Sequence, residues 1–211
     1  MQALFIGQAY IDITFVADSL PTGDEKTVAR NYAVSFGGNA VTAAFCCAKL
    51  GVKPDLLASV ADDWLGRMFI DMAMRYGISL HHRKVAGSSL SFVMPKDGQR
   101  AIVRCRDDDY KHPHPPLHLT GCRALHVDGH QADAAIDYAR ACREAGILTS
   151  LDGGVTSFEY SRVALFHRRR CRGGKAVRAN AAHAFRDARL FEGAGLPHRW
   201  RNVRRARPSM V

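Results

Sequence analysis

Regular apolar patterning stops near Gly154, and the basic charge of the chain begins there. Residues 1–154 carry 16 Lys and Arg against 17 Asp and Glu, whereas residues 155–211 carry 14 against 3, so the formal excess of +10 lies beyond Gly154. A folded core therefore has to be built from the first 154 residues. Two regions are expected: a folded part over 1–154 and an Arg-rich tail over 155–211.

Within the first region, short apolar runs alternate with helical patterns. Ala3 to Gly7 reads as a buried strand, Ile11 to Val16 and Thr27 to Phe36 as alternating strands, and Ala40 to Leu50 as a small-residue helix closed by Gly51. Leu56 to Val60 predicts a strand, Trp64 to Tyr76 an amphipathic helix behind Asp62-Asp63, and Ile78 to His82 a further strand. Ser89 to Met94 and Gln99 to Arg104 flank the turn Pro95-Lys96-Asp97-Gly98 and predict a hairpin. Ala124 to Val127, Ala132 to Ala145 and Ile147 to Leu151 complete the pattern as strand, helix and strand. Strands joined by helical crossovers argue for a mainly parallel sheet. The antiparallel segments at 11–36 and 89–104 do not belong in that layer and predict a separate small sheet.

Gly37-Gly38-Asn39-Ala40 sits at a strand-to-helix junction. Its glycines allow a ligand to approach the backbone, and the helix start offers N–H groups. The spacing matches neither a dinucleotide nor a Walker-type phosphate loop. Asp12, Asp128 and Asp152 stand at or near strand ends, where carboxylates accept hydrogen bonds from a hydroxyl-rich ligand. His112, His114, His118, His126 and His130 follow no common metal spacing, so no metal site is expected. The six cysteines, Cys46, Cys47, Cys105, Cys122, Cys142 and Cys171, form no CxxC and read as free thiols of a cytoplasmic protein. No signal peptide and no run approaching ~20 apolar residues is found, so no membrane partner is expected.

Together these segments resemble the ribokinase-like (PfkB) carbohydrate kinases over residues 1–154. The resemblance rests on Gly7 to Asp12, on Gly37-Gly38-Asn39-Ala40 with Gly51 after the helix, and on Ala61-Asp62-Asp63-Trp64-Leu65-Gly66, where the family has GDDxxG. The 89–104 hairpin and Leu151-Asp152-Gly153-Gly154 also match. Val28-Ala29-Arg30-Asn31-Tyr32 is most similar to the sulfofructose kinase branch, although His130 stands where that branch has an arginine. The resemblance implies an α/β fold with a parallel sheet flanked by helices, a small β lid, and a C-terminal half missing from this chain. It implies a sugar site made of Asp12, Gly37, Gly38, Asn39, Thr42, Ser89, Ser91, Arg104 and Asp128, with Thr42 where most of the family has Asn. It further implies a homodimer through the lid, and ATP-dependent phosphoryl transfer with Mg2+. The family's GAGD, which supplies the catalytic base, is absent: Gly193-Ala194-Gly195 is followed by Leu196. No catalytic residue is assigned, and the platform for ATP and Mg2+ is expected to be missing.

The tail, with Phe166-His167-Arg168-Arg169-Arg170-Cys171-Arg172, has the composition of a GC-rich gene read out of frame. Back-translated and read one nucleotide later, Arg172 to Val177 gives Val-Ala-Glu-Arg-Leu. The same shift turns Gly195 to Asn202 into Ala-Cys-Arg-Ile-Gly-Gly-Val-Thr. A frameshifted, disordered tail is the primary expectation. A non-catalytic sugar-binding remnant and nucleic-acid binding through the arginines are the alternatives, and a nucleic-acid partner is the less expected.

Overall fold

The computed structural model describes residues 1–19, 21–96 and 99–152. The tail expected over 155–211 and the turn residues Asp97 and Gly98 lie outside the described residues. Five strands form one sheet in the order β5-β4-β1-β8-β9, every pairing parallel: β1 is Ala3–Gly7, β4 Pro54–Ala61, β5 Ser79–Val85, β8 Ala124–Val127 and β9 Leu148–Leu151. The helices α1 (Asn39–Lys49), α2 (Trp64–Arg75) and α3 (Ala132–Glu144) cover its two faces.

The period of two along β1 divides the core. Ala3 and Phe5 pack with Ala40, Val41, Ala44, Phe69 and Ala73 of α1 and α2. Leu4 and Ile6 pack on the opposite face with Ala134, Ala135, Tyr138 and Cys142 of α3. Strands covered on both faces read as near-continuous apolar runs, and β4 is buried throughout, with Asp55 and Ser59 as its polar members. Leu4, Phe5, Ile6, Leu56, Leu57, Phe69 and Leu125 are almost fully enclosed, each stabilising the fold by about 1.5–3 kcal/mol relative to exposure.

The Asp62-Asp63 segment works as a helix start. The Asp63 side chain accepts from Gly66 N at 2.7 Å, as an N-cap should. The same carboxylate accepts from Ser88 N at 2.9 Å and Ser88 Oγ at 2.7 Å, tying α2 to the segment that leads into the second sheet. A Cβ at Gly66 would lie 2.0 Å from the Ala61 carbonyl oxygen, so only glycine lets α2 sit this close to the end of β4.

The second sheet has the order β3-β2-β6-β7, with β2 Tyr10–Val16, β3 Asn31–Gly37, β6 Leu90–Lys96 and β7 Gln99–Cys105. It departs from a purely antiparallel lid, because β2 and β6 pair in parallel. Both strands leave the carboxyl end of the parallel sheet, after β1 and after β5, and so run the same way. The strand expected from Thr27 begins at Asn31, since β2 ends at Val16 and offers no partner beyond the Val16–Asn31 pair. β5 runs further than expected, to Val85 opposite Ala61. Its pattern hides a buried cation. Arg83 forks onto Asp133 of α3 at 2.8 and 3.0 Å, donates to the His112 carbonyl, and lies 4.0 Å from the Tyr110 ring centroid. This anchors the loop between β7 and β8 across the carboxyl end of the sheet.

Candidate functional site

The ends of β1 and β8 and the start of α1 meet at Asp128. One carboxylate oxygen accepts from Gln8 N at 3.3 Å and Ala40 N at 3.2 Å, and the other from His130 N at 3.2 Å. Burial pushes the Asp128 carboxyl up to about 7, against the pull of these N–H groups, and neighbouring Asp152 adds to the upward push. One N–H at the start of α1, which the sequence presents as available to a ligand, is thus already engaged by Asp128.

The glycines around the site, Gly7 and the expected Gly37 and Gly38, have separate spatial jobs. A Cβ on Gly7 would fall 2.1 Å from Asp128 Oδ2. Gly38, at φ +103, presses against the Gln8 carbonyl, where a Cβ would come within 2.0 Å. Gly37, the last residue of β3, faces Asp12, whose Oδ2 a Cβ would meet at 2.2 Å. Asp12 therefore lies directly against the Gly37-Gly38 entry to α1. Asn39 and Thr42, one helical turn apart, are both exposed on α1.

Across the lid, four residues stand in one register row: Ser35, Asp12, Ser91 and Arg104. Residues directly opposite on neighbouring strands share a face, so three of the expected sugar contacts form one continuous polar line. Among the described residues the Asp12 carboxylate has no hydrogen-bond partner. Ser91 Oγ is buried and also unpartnered. The Arg104 guanidinium lies 4.5 Å from the Tyr10 ring centroid. Ser89, also expected to touch ligand, has its hydroxyl engaged: it accepts from Gln8 Nε2 at 2.8 Å and Asp107 N at 3.0 Å.

Four residues around the site were not singled out from the sequence. Gln8, fully buried, joins β1 to the lid and to the β7–β8 loop through Ser89 Oγ, the Asp107 carbonyl and the Tyr110 hydroxyl. Gln131 adopts the left-handed conformation at φ 54, rare for a non-glycine. Its Nε2 donates to the Gly7 carbonyl at 2.8 Å and the Leu57 carbonyl at 3.2 Å. Tyr10 and Arg106 complete the surroundings: burial raises the Tyr10 hydroxyl, opposed by the charges of Arg104 and Arg106. A polar residue directly after a buried strand was the available signal for Gln8. Nothing in the sequence marks Gln131. His130 packs edge-on to Tyr10, and burial with the nearby arginine charges lowers its pKa, so it stands neutral at pH 7. Among the described residues no group of three or more His, Cys, Asp or Glu is arranged to hold a metal ion.

The family pattern for pfkB family carbohydrate kinases matches residues 2–138. An ATP-dependent ribose-1-phosphate kinase from Halopiger xanaduensis is 26% identical over 163 residues, 73% of this chain and 54% of the relative. A crystal structure from Agrobacterium tumefaciens, provisionally assigned as a ribokinase, superposes with a TM-score of 0.65 at 26% identity, over 72% of this chain and 52% of its own. Arabidopsis thaliana ribokinase, solved with ribose and ATP, superposes at 0.61 with 23% identity over 72% and 53%. The chain spans about half the length of the curated relatives it matches.

Proposed function

The chain belongs to the pfkB family of carbohydrate kinases, and from that premise we propose that residues 1–154 are the lid and sugar-binding part of an ATP-dependent sugar kinase. The observation that carries this reading is the Ser35–Asp12–Ser91–Arg104 row set against the Gly37-Gly38 entry to α1. A carboxylate without an internal partner accepts hydroxyl hydrogen bonds, a buried hydroxyl without one can donate or accept, and a guanidinium donates. Asn39, Thr42 and Asp128 add polar groups at the carboxyl ends of the strands, where open α/β sheets hold ligands. Gly37 and Gly38 contribute by the close approach they permit. Ser89 contributes by holding Gln8.

The reaction of the whole kinase is transfer of the ATP γ-phosphoryl group to a sugar hydroxyl. Such transfer needs a positioned nucleotide, charge neutralisation and a base for the acceptor hydroxyl. No GAGD base occurs in the sequence, and none of the residues named here is assigned as a Mg2+ ligand. As given, the chain binds sugar without phosphorylating it. The Arg-rich segment 155–211 is read as out of frame, which separates the sugar half from the nucleotide half. The likeness of residues 28–32 to the sulfofructose kinase branch supports reading the parent kinase as nearest to it, and the unpaired cysteines support a cytoplasmic setting. Its lid pairs with a second copy through the face that exposes Tyr32, Val34 and Val103.

The deciding assay couples ADP release to a panel of ketoses and aldoses, with and without restoration of the reading frame after codon 154. Sugar-dependent turnover is expected only from the restored protein. Comparable turnover by the 211-residue chain would overturn the out-of-frame reading, and no turnover by either would remove the kinase assignment.

A further inference from the structure

We infer that Gln8 sets the register in which β2 pairs with β6, and is thereby the positioning residue that brings Asp12 into line with Ser91 and Arg104. The consequence for sugar affinity rests on the sugar-site reading above; the register itself does not.

A parallel pair lacks the tight turn that fixes the register of a hairpin. In the lid, β6 and β7 have such a turn, because Lys96 and Gln99 pair across a two-residue connection. The β2–β6 pair has none: Gln8 and Ser89, which stand at its start, are 81 residues apart in the chain. A slip of one residue would turn Asp12 out of the row, since side chains alternate between the two faces. Ser89 is held at two points where the pair begins. Its hydroxyl accepts from Gln8 Nε2 at 2.8 Å, and its carbonyl accepts from Ile11 N at 2.9 Å. The ladder that follows pairs Ile11 with Leu90 and Asp12 with Ser91. A slipped β6 would carry Ser89 about 3.3 Å along the strand and leave a buried Gln8 N–H without that acceptor, which is costly.

Gln8 can fix the register because it touches each passage between the two sheets. The chain makes four of them: from β1 to β2, from β3 to α1, from β5 to β6 and from β7 to β8. Gln8 lies in the first, and its N–H donates to Asp128 Oδ2 at 3.3 Å. Its carbonyl is packed against Gly38 in the second, where a Cβ would come within 2.0 Å. Its Nε2 reaches Ser89 in the third and the Asp107 carbonyl, at 2.9 Å, in the fourth. Its Oε1 accepts from the Tyr110 hydroxyl at 3.3 Å. A backbone carbonyl only accepts, so Asp107 fixes which end of the Gln8 amide is the donor. The side chain is fully buried, and its partners are pinned in turn. Ser89 Oγ also accepts from Asp107 N at 3.0 Å, and the Asp107 carboxylate accepts from Ala86 N and Gly87 N, both at 2.9 Å. The Tyr110 ring centroid lies 4.0 Å from the Arg83 guanidinium, which forks onto Asp133 of α3 at 2.8 and 3.0 Å. Through Gln8, the lid register is tied to the parallel sheet and to α3.

The test is hydrogen exchange of the full 211-residue chain, resolved to single amides, for wild type and Gln8→Met. Methionine keeps the length of the side chain and removes its donor and acceptor. The Ile11 amide and those bonded across β2 and β6 should exchange about tenfold faster or more. Amides between β1 and β4, and those of β6 and β7 near Lys96 and Gln99, should keep their wild-type rates. Unchanged exchange across β2 and β6, or equal acceleration in every element, would overturn the inference. If Gln8→Met does not fold, Ser89→Ala removes the same bond from the lid side and is read by the same pattern. Calorimetric titration with D-ribose and D-fructose then tests the positioning of Asp12. Gln8→Met should weaken sugar binding about tenfold, and should weaken it no further in an Asp12→Ala background. Unchanged affinity, or losses that add, would overturn the positioning role and leave the sugar site standing. No binding of either sugar by the wild-type chain would count against the sugar-site reading alone, with the register decided by exchange.

Discussion

The parallel sheet and the lid sheet solve different problems with similar strands. In the parallel sheet, β1 and β4 are covered on both faces, and their polar neighbours are engaged within the chain: Asp128 by backbone N–H groups, Gln131 Nε2 by two backbone carbonyls, and Gln8 by Ser89, Asp107 and Tyr110. The lid has one face lined by Asp12, Ser91 and Arg104 and another that exposes Tyr32, Val34 and Val103. Polar groups in the first sheet hold the chain together, whereas those of the second wait for something outside it. The same substitution should therefore cost stability in one sheet and binding in the other.

Adjacent glycines make the sharpest contrast. Gly38→Ala puts a methyl 2.0 Å from the Gln8 carbonyl in a backbone at φ +103, and should destabilise by about 3 kcal/mol or more. Gly37→Ala meets mainly the movable Asp12 carboxylate and should cost about 1–2 kcal/mol, with loss of sugar affinity. Urea unfolding of both variants checks this; equal losses would erase the distinction between the sheets.

The buried titrating groups of the parallel sheet make opposed contributions to acid stability. His126, enclosed in β8 with Nδ1 2.9 Å from Ser150 Oγ, is held down to about 4 by burial. Unfolded, it takes up its proton near 6.5, so its contribution is lost as pH falls from about 6.5 to 4, by about 3 kcal/mol in all. Asp128, raised to about 7, acts in reverse. Its contribution is present below about 4 and lost as pH rises to about 7, by a similar amount. Wild-type stability should change little across that interval, while His126→Asn should gain about 2–3 kcal/mol on going from pH 7 to 4.5. A His126→Asn profile parallel to wild type would show that the imidazole is not protonated on unfolding as described.

Smallest in stability is the outer lid face. Val103→Lys, at a position 70% exposed, should change unfolding free energy by less than about 0.5 kcal/mol. It should still shift a micromolar dimer of the restored protein towards monomer in sedimentation, by placing a charge in the paired face. A wild-type protein that is monomeric throughout would remove the lid-pairing proposal.

Much of this arrangement was legible because strand and helix periods are written in side chains. The unbroken apolar run Ala3-Leu4-Phe5-Ile6 told which layer was covered twice, and Asp62-Asp63 marked a helix start. Register was not legible. That Asp12, Ser91 and Arg104 share a row follows from the parallel pairing of β2 with β6, which depends on where both strands leave the larger sheet. The length of β5 was hidden because Arg83 makes a buried segment look polar until Asp133 and Tyr110 are placed around it. Gln131 could not be read at all, since its left-handed backbone is imposed by the carbonyls of Gly7 and Leu57.

The account stands most directly on Asp12, whose carboxylate has no partner among the described residues and lies against Gly37 at the mouth of α1. Calorimetric titration of the cognate sugar into the frame-restored protein and its Asp12→Ala variant measures its role without requiring turnover. Loss of about 1–3 kcal/mol of binding free energy, with an unfolding midpoint unchanged in the absence of sugar, is the expected result. Unchanged affinity would take Asp12 out of the site and with it the reading of the lid row as the sugar-binding face.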